Sequence, residues 1–89
     1  MKILYTKKFS KDLDRIVHDE RLKKRLFQLL QELQQMSSLA EMKDIRKIQG
    51  YEDYFRIRMG DYRLGVKAIK DGIEMLRFLH RKDIYKNFP

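Results

Sequence analysis

The sequence predicts an α+β domain: an antiparallel β-sheet with a helical hairpin packed on one of its faces. Three observations carry this. All four glycines (Gly50, Gly60, Gly65 and Gly72) lie in the second half, and the sole proline is the last residue. Apolar residues recur at helical spacing in the first half. From Tyr54 onward the period changes to two. Helices first and a sheet afterwards is the pattern of an α+β fold. At 89 residues and 43% hydrophobic content, the chain suits a single domain, 1–89, with one thin core.

The elements follow in order. Lys2 to Tyr5 is short and apolar and predicts a first strand. Thr6 or Ser10 is placed to cap a helix in which Phe9, Leu13, Ile16 and Val17 share one side. Asp19 is placed to cap a second helix, with Leu22, Leu26, Leu29, Leu30, Leu33 and Met36 as its apolar stripe. Ser37 and Ser38 end it. Tyr54 to Met59 alternates, Gly60-Asp61 makes a tight turn, and Tyr62 to Ala68 alternates again. Asp71-Gly72 is a hairpin signal, and Ile73 to Leu79 forms the third strand of an antiparallel meander, to which the first strand adds.

Alternation sorts the charges. If Phe55, Ile57 and Met59 face the helices, Arg56 and Arg58 face away. If Leu64 and Val66 do so, Arg63 also faces away. Leu76 and Phe78 on the core side would add Arg77, although Ile73, Met75 and Leu79 are apolar too and admit the other parity. The reading places four arginines on an uncovered sheet face, because an arginine turned into the core would be very costly.

Composition narrows the function classes. Lys and Arg number 21 against 13 Asp and Glu, a net charge of +8, which favours a polyanionic partner. The absence of cysteine removes disulfides and thiolate metal sites, and His18 and His80 lack metal-site spacing. No apolar run suggests a signal peptide or a membrane span, so a cytoplasmic protein without membrane attachment is expected. A glycine-rich phosphate loop, a Ser/His/Asp arrangement and a carboxylate pair are all missing, and no cofactor or metal is expected.

The arginine face admits two readings. One is a solvated surface, where single charges matter little. The other is a phosphodiester site, since arginine gives planar, bidentate recognition of phosphate. His80, Arg81, Lys82 and Tyr85 add polar groups at the end of the last strand. A helical turn over 82–86 would set Arg81 and Tyr85 on one side. Tyr54 and Tyr62 offer rings for base stacking.

The stretch "YFRIRMGDYRLGVKAIKDGIEMLRFLHRKDIYKNFP" resembles the C-terminal half of the RelE/ParE toxin superfamily, the toxins of bacterial type II toxin–antitoxin modules. The R-x-R strand, the GDYR turn and the HRKDIY ending carry the likeness, and "IRKIQG" at 45–50 falls in the family's place. The resemblance implies ribosome-dependent cleavage of mRNA in the A site, as in the RelE branch, by metal-independent attack of the 2′-hydroxyl on phosphate; the alternative is inhibition of DNA gyrase, as in the ParE branch. In both, a cognate antitoxin neutralises the toxin. Transferred by motif position, it implies catalytic roles for Arg63, Arg81 and Tyr85; His80 ranks second to Tyr85 for proton transfer on the chemistry of imidazole alone. Its basic strand residues correspond to Arg56 and Arg58, which are expected to bind RNA; Arg77, by its strand parity, and the basic residues Lys82 and Lys47 are further candidates for RNA binding. The R-x-R positions are often lysines in RelE-type enzymes, so Arg56 and Arg58 are expected to act electrostatically rather than to move protons.

Overall fold

A computed structural model describes residues 1–89. Strand β1 (Lys2–Tyr5) leads into helix α1 (Lys7–Asp14) and helix α2 (Glu20–Gln35). Both helices start where a side-chain oxygen meets an otherwise unpaired amide. Thr6 Oγ1 accepts from the Phe9 N–H at 3.1 Å, and Asp19 Oδ1 from the Leu22 N–H at 3.0 Å. A short 3-10 turn (Leu39–Glu41) then leads to strands β2 (Ile45–Lys47), β3 (Tyr54–Met59), β4 (Tyr62–Ile69) and β5 (Gly72–His80), and to helix α3 (Arg81–Asn87).

The sheet has five strands in the order β1-β5-β4-β3-β2. Strands β3 to β5 pair antiparallel, as expected of the meander; β2, which the sequence does not predict, adds antiparallel to β3, and β1 pairs parallel with β5, so the sheet is mixed. Gly72 permits this arrangement: it pairs with Lys2, and a Cβ there would collide with the Lys2 carbonyl. The helical hairpin covers one face. Phe9, Leu26, Leu30 and Leu33 pack there on Ile57, Leu64, Val66, Ile73, Met75 and Phe78.

Strand β5 breaks its period. Val66 pairs with Met75 and Gly65 with Arg77, leaving Leu76 as an extra residue in a bulge. Met75 and Phe78 therefore both enter the main core. Leu76 and Leu79 belong instead to a second cluster with Ile48, Ile84 and Phe88. The expectation that Leu76 shares a side with Phe78 fails for this reason.

The opposite sheet face is only half open. α3 folds back over β4 and β5, with Ile84 fully buried and Phe88 lying on Gly65. A Cβ on Gly65 would stand 2.7 Å from the Phe88 ring, so the glycine is the seat for that ring. Burying a side chain of this size contributes about 1.5–3 kcal/mol. That is enough to hold a seven-residue helix that would be marginal alone.

Candidate active site

The half of the sheet that α3 leaves open is cationic. Arg56 and Arg58 alternate on β3 with the buried Ile57 and Met59, and so project from the open face. Arg63 stands directly opposite Arg58 on β4, and Arg46 directly opposite Arg56 on β2. These side chains, with Lys43 and Tyr85, line a cleft of about 330 Å³ whose one carboxylate is Asp44. Asp44 also fixes the strand end, its carbonyl accepting from the Arg58 N–H at 2.8 Å.

Two groups in the cleft are held in place. The Arg63 guanidinium donates from Nη1 to the carbonyls of Gly60 and Tyr62, at 2.7 and 2.9 Å. So tied, Arg63 lines the cleft from a fixed base. Tyr85 projects from α3 beside the buried Ile84 and is 65% exposed. The Arg56 guanidinium lies 4.6 Å from its ring centroid, a cation–π contact that joins helix to sheet across the cleft.

The structure separates the other residues singled out from the sequence. Arg81 starts α3. Its N–H donates to the Asp61 carbonyl at 2.7 Å, and its Nε is 3.9 Å from the Asp61 carboxylate, with both side chains exposed. It therefore sits by the β3–β4 turn that also anchors Arg63, beside the cleft rather than in it. His80 is the N-cap of α3: its Nδ1 accepts from the Lys82 N–H at 3.2 Å, and its ring meets the edge of Tyr62. Lys82 is exposed on α3 and does not line the cleft. Lys47 pairs with Phe55, on the parity of Ile45, and so stands on the other face from Arg46.

Arg77 departs most from expectation. Its Nε and Nη2 donate to the two carboxylate oxygens of Asp12 on α1, at 2.8 and 3.1 Å. Asp12 is buried and also accepts from the Phe78 N–H at 2.9 Å. Arg77 thus fastens α1 to β5 and is absent from the cationic cleft. The fourth arginine of the open face is Arg46. Its signal was the alternation Ile45-Arg46, too short to register as a strand without its partner β3. Tyr62 and Tyr54 are packing residues: Tyr62 stacks on Phe78, with centroids 5.0 Å apart, and Tyr54 lies against Phe88 at 5.8 Å.

No group of three or more His, Asp or Glu side chains is gathered in the chain to hold a metal ion. No helix is long and apolar enough to cross a membrane.

Comparison with known proteins gives this geometry a family. Residues 3–85 match the model of the ParE toxin of type II toxin–antitoxin systems, parDE. The chain is 44% identical to Toxin RelE3 of Methanocaldococcus jannaschii over 90 residues, the full length of both. The chain belongs to the RelE/ParE toxin superfamily. It is thus a toxin of the type II toxin–antitoxin class. Among solved structures, the RelB-RelE antitoxin–toxin complex from Methanococcus jannaschii matches with a TM-score of 0.80 and 42% identity, covering 97% of this chain and 99% of that one. The E. coli DinJ-YafQ complex matches with a TM-score of 0.76, over 94% of this chain and 96% of that one. At 18% identity this second likeness shows the shared fold alone.

Proposed function

We propose that this toxin is an endoribonuclease that cleaves mRNA on the ribosome without a metal ion, and that an acidic cognate antitoxin neutralises it. The observation that carries the reading is the cleft itself, where Arg46, Arg56, Arg58, Arg63 and Lys43 surround a single phenol with one carboxylate among them. In the reaction the ribose 2′-oxygen attacks the adjacent phosphorus in line, and the bond to the 5′-oxygen breaks. The products are a 2′,3′-cyclic phosphate and a 5′-hydroxyl. Negative charge develops on the phosphoryl oxygens, where fixed guanidinium donors act best. Arg63 suits this task because its base is already tied to the turn. Arg81 adds charge from the α3 end, and Arg56 and Arg58 hold the backbone on either side. Tyr85, acting as its phenolate, takes the 2′-hydroxyl proton, and a solvent water protonates the departing 5′-oxygen. His80 is the weaker candidate, since one of its nitrogens already caps α3.

The test compares the wild type with Arg63→Ala, Arg81→Ala and Tyr85→Phe on ribosomes programmed with a defined mRNA. Loss of one well-aimed donor is expected to slow cutting about a hundredfold or more. Tyr85→Phe keeps the ring and removes only the hydroxyl, so a large loss there assigns a chemical role. Full cutting by all three variants overturns the assignment.

A second reading is supported by the ParE description of the matched family: inhibition of DNA gyrase by binding. Under that reading the purified protein blocks supercoiling by gyrase and leaves mRNA intact. The antitoxin is supported by the net charge of +8, which favours an acidic segment that folds on binding. The similar RelB-RelE structure, itself an antitoxin–toxin complex, supports it too.

A further inference from the structure

A second cleft, of about 450 Å³, lies beside the first and shares a wall with it: Lys43, Asp44 and Arg58 line both. It opens between α2 and the segment 41–44, at the end of β3. Its floor is apolar, formed by Leu29, Met36, Met42 and Met59. Its rim carries Arg25, Gln28 and Glu32, which fall at spacings of three and four on one side of α2. The Arg25 guanidinium lies over the β3–β4 turn, its Nη1 2.8 Å from where a Cβ on Gly60 would stand.

The two clefts differ in charge. The first sets five cations against one carboxylate, which suits phosphate. In the second, Arg25, Lys43 and Arg58 are balanced by Glu32, Glu41 and Asp44. A balanced rim over an apolar floor does not select an anion. It suits a flat, neutral, largely apolar group whose edge carries donors and acceptors together, and a nucleobase is such a group. Glu32 accepts from a ring or amino N–H, Arg25 donates to a carbonyl or ring nitrogen, and the Gln28 amide does either. The volume lies within the usual range for ligand sites.

We propose that this second cleft is a base pocket. It receives the nucleobase of a nucleotide whose phosphate lies in the arginine cleft, with Arg58 on the wall between the two. This rests on the RNA reading above, and its test does not depend on cleavage. The chain's own methionines are the probes: Met36, Met42 and Met59 line the pocket, while Met75 is buried in the core and lines neither cleft.

The experiment follows the methionine methyl signals of the wild-type protein by NMR during titration with the four nucleoside 3′-monophosphates and, separately, with inorganic phosphate. Nucleotides are expected to shift the Met36, Met42 and Met59 methyls and leave Met75 unmoved. Inorganic phosphate is expected to shift none of the three. Glu32→Gln and Gln28→Ala should each weaken the preferred nucleotide at least about fivefold with unchanged affinity for phosphate. The proposal is overturned if nucleotides leave the three methyls unmoved, as they would were the pocket for a protein partner. It is also overturned if phosphate alone moves them equally, or if neither substitution alters nucleotide affinity. Methyl shifts in a protein that cuts no mRNA would uphold the pocket and reject the nuclease. Cutting without shifts would do the reverse.

Discussion

Asp12 is one of two acidic residues on the first helix, and nothing in its sequence context marks it. In the structure it is 3% exposed and takes three hydrogen bonds, two from Arg77 and one from the Phe78 backbone. The Arg77 guanidinium is held above its ordinary range chiefly by the hydrogen bond to Asp12, which outweighs the opposing cost of burial, with a lesser contribution from the attraction of that carboxylate. A raised cationic group stabilises the fold at every pH below its unfolded value, and the contribution fades only as pH climbs through the folded one. For an arginine that window lies above the working range, so no stability change between pH 5 and 9 is expected from Arg77. Removing one partner strands the other as an uncompensated charge. Asp12→Ala should therefore lower stability by about 3 kcal/mol, read from the urea midpoint. Asp12→Leu combined with Arg77→Met should recover most of it. A wild-type midpoint for Asp12→Ala would show that the pair does not hold α1 to β5.

Glycines decide how the elements meet. Gly65 lies where β4 passes under α3, and Gly72 where β5 passes beside β1. Both would clash if given a Cβ, but against different atoms: a Phe88 ring at Gly65 and the Lys2 backbone at Gly72. A side-chain ring can move, whereas a paired strand cannot. Gly65→Ala is expected to cost about 1–3 kcal/mol and to speed amide exchange in α3 selectively, and Phe88→Ala should remove most of that difference. Gly72→Ala should cost more and expose β1 amides. Equal costs, with no selective exchange in α3, would contradict the seating of Phe88 on Gly65. The helices themselves were legible, with Thr6 and Asp19 as caps, because capping and 3.6-residue periodicity are local. Strand β2 was not, since three residues of alternation carry too little signal and only pairing with β3 defines them.

At the scale of the molecule the +8 charge is concentrated by the fold. Cross-strand register sets Arg46 by Arg56 and Arg58 by Arg63, and α3 closes one side with Tyr85. Binding to a single-stranded RNA should fall steeply with salt, and each cleft arginine replaced by glutamine should reduce the log–log slope by about 0.7. Arg77→Gln should leave that slope unchanged, since its guanidinium is committed to Asp12. An equal reduction for Arg77→Gln would show that it does reach the RNA. Hydrophobic period and turn residues determined the α+β class, the helical hairpin, the meander and the outward parity of Arg56, Arg58 and Arg63, because each of these follows from neighbours in the chain. Only the tertiary structure decided that β1 runs parallel, that Arg77 is a fastener, that Arg46 completes the cleft and that α3 covers half the face. Those outcomes depend on one bulge, two glycines and partners 10 to 70 residues apart, which no local pattern specifies.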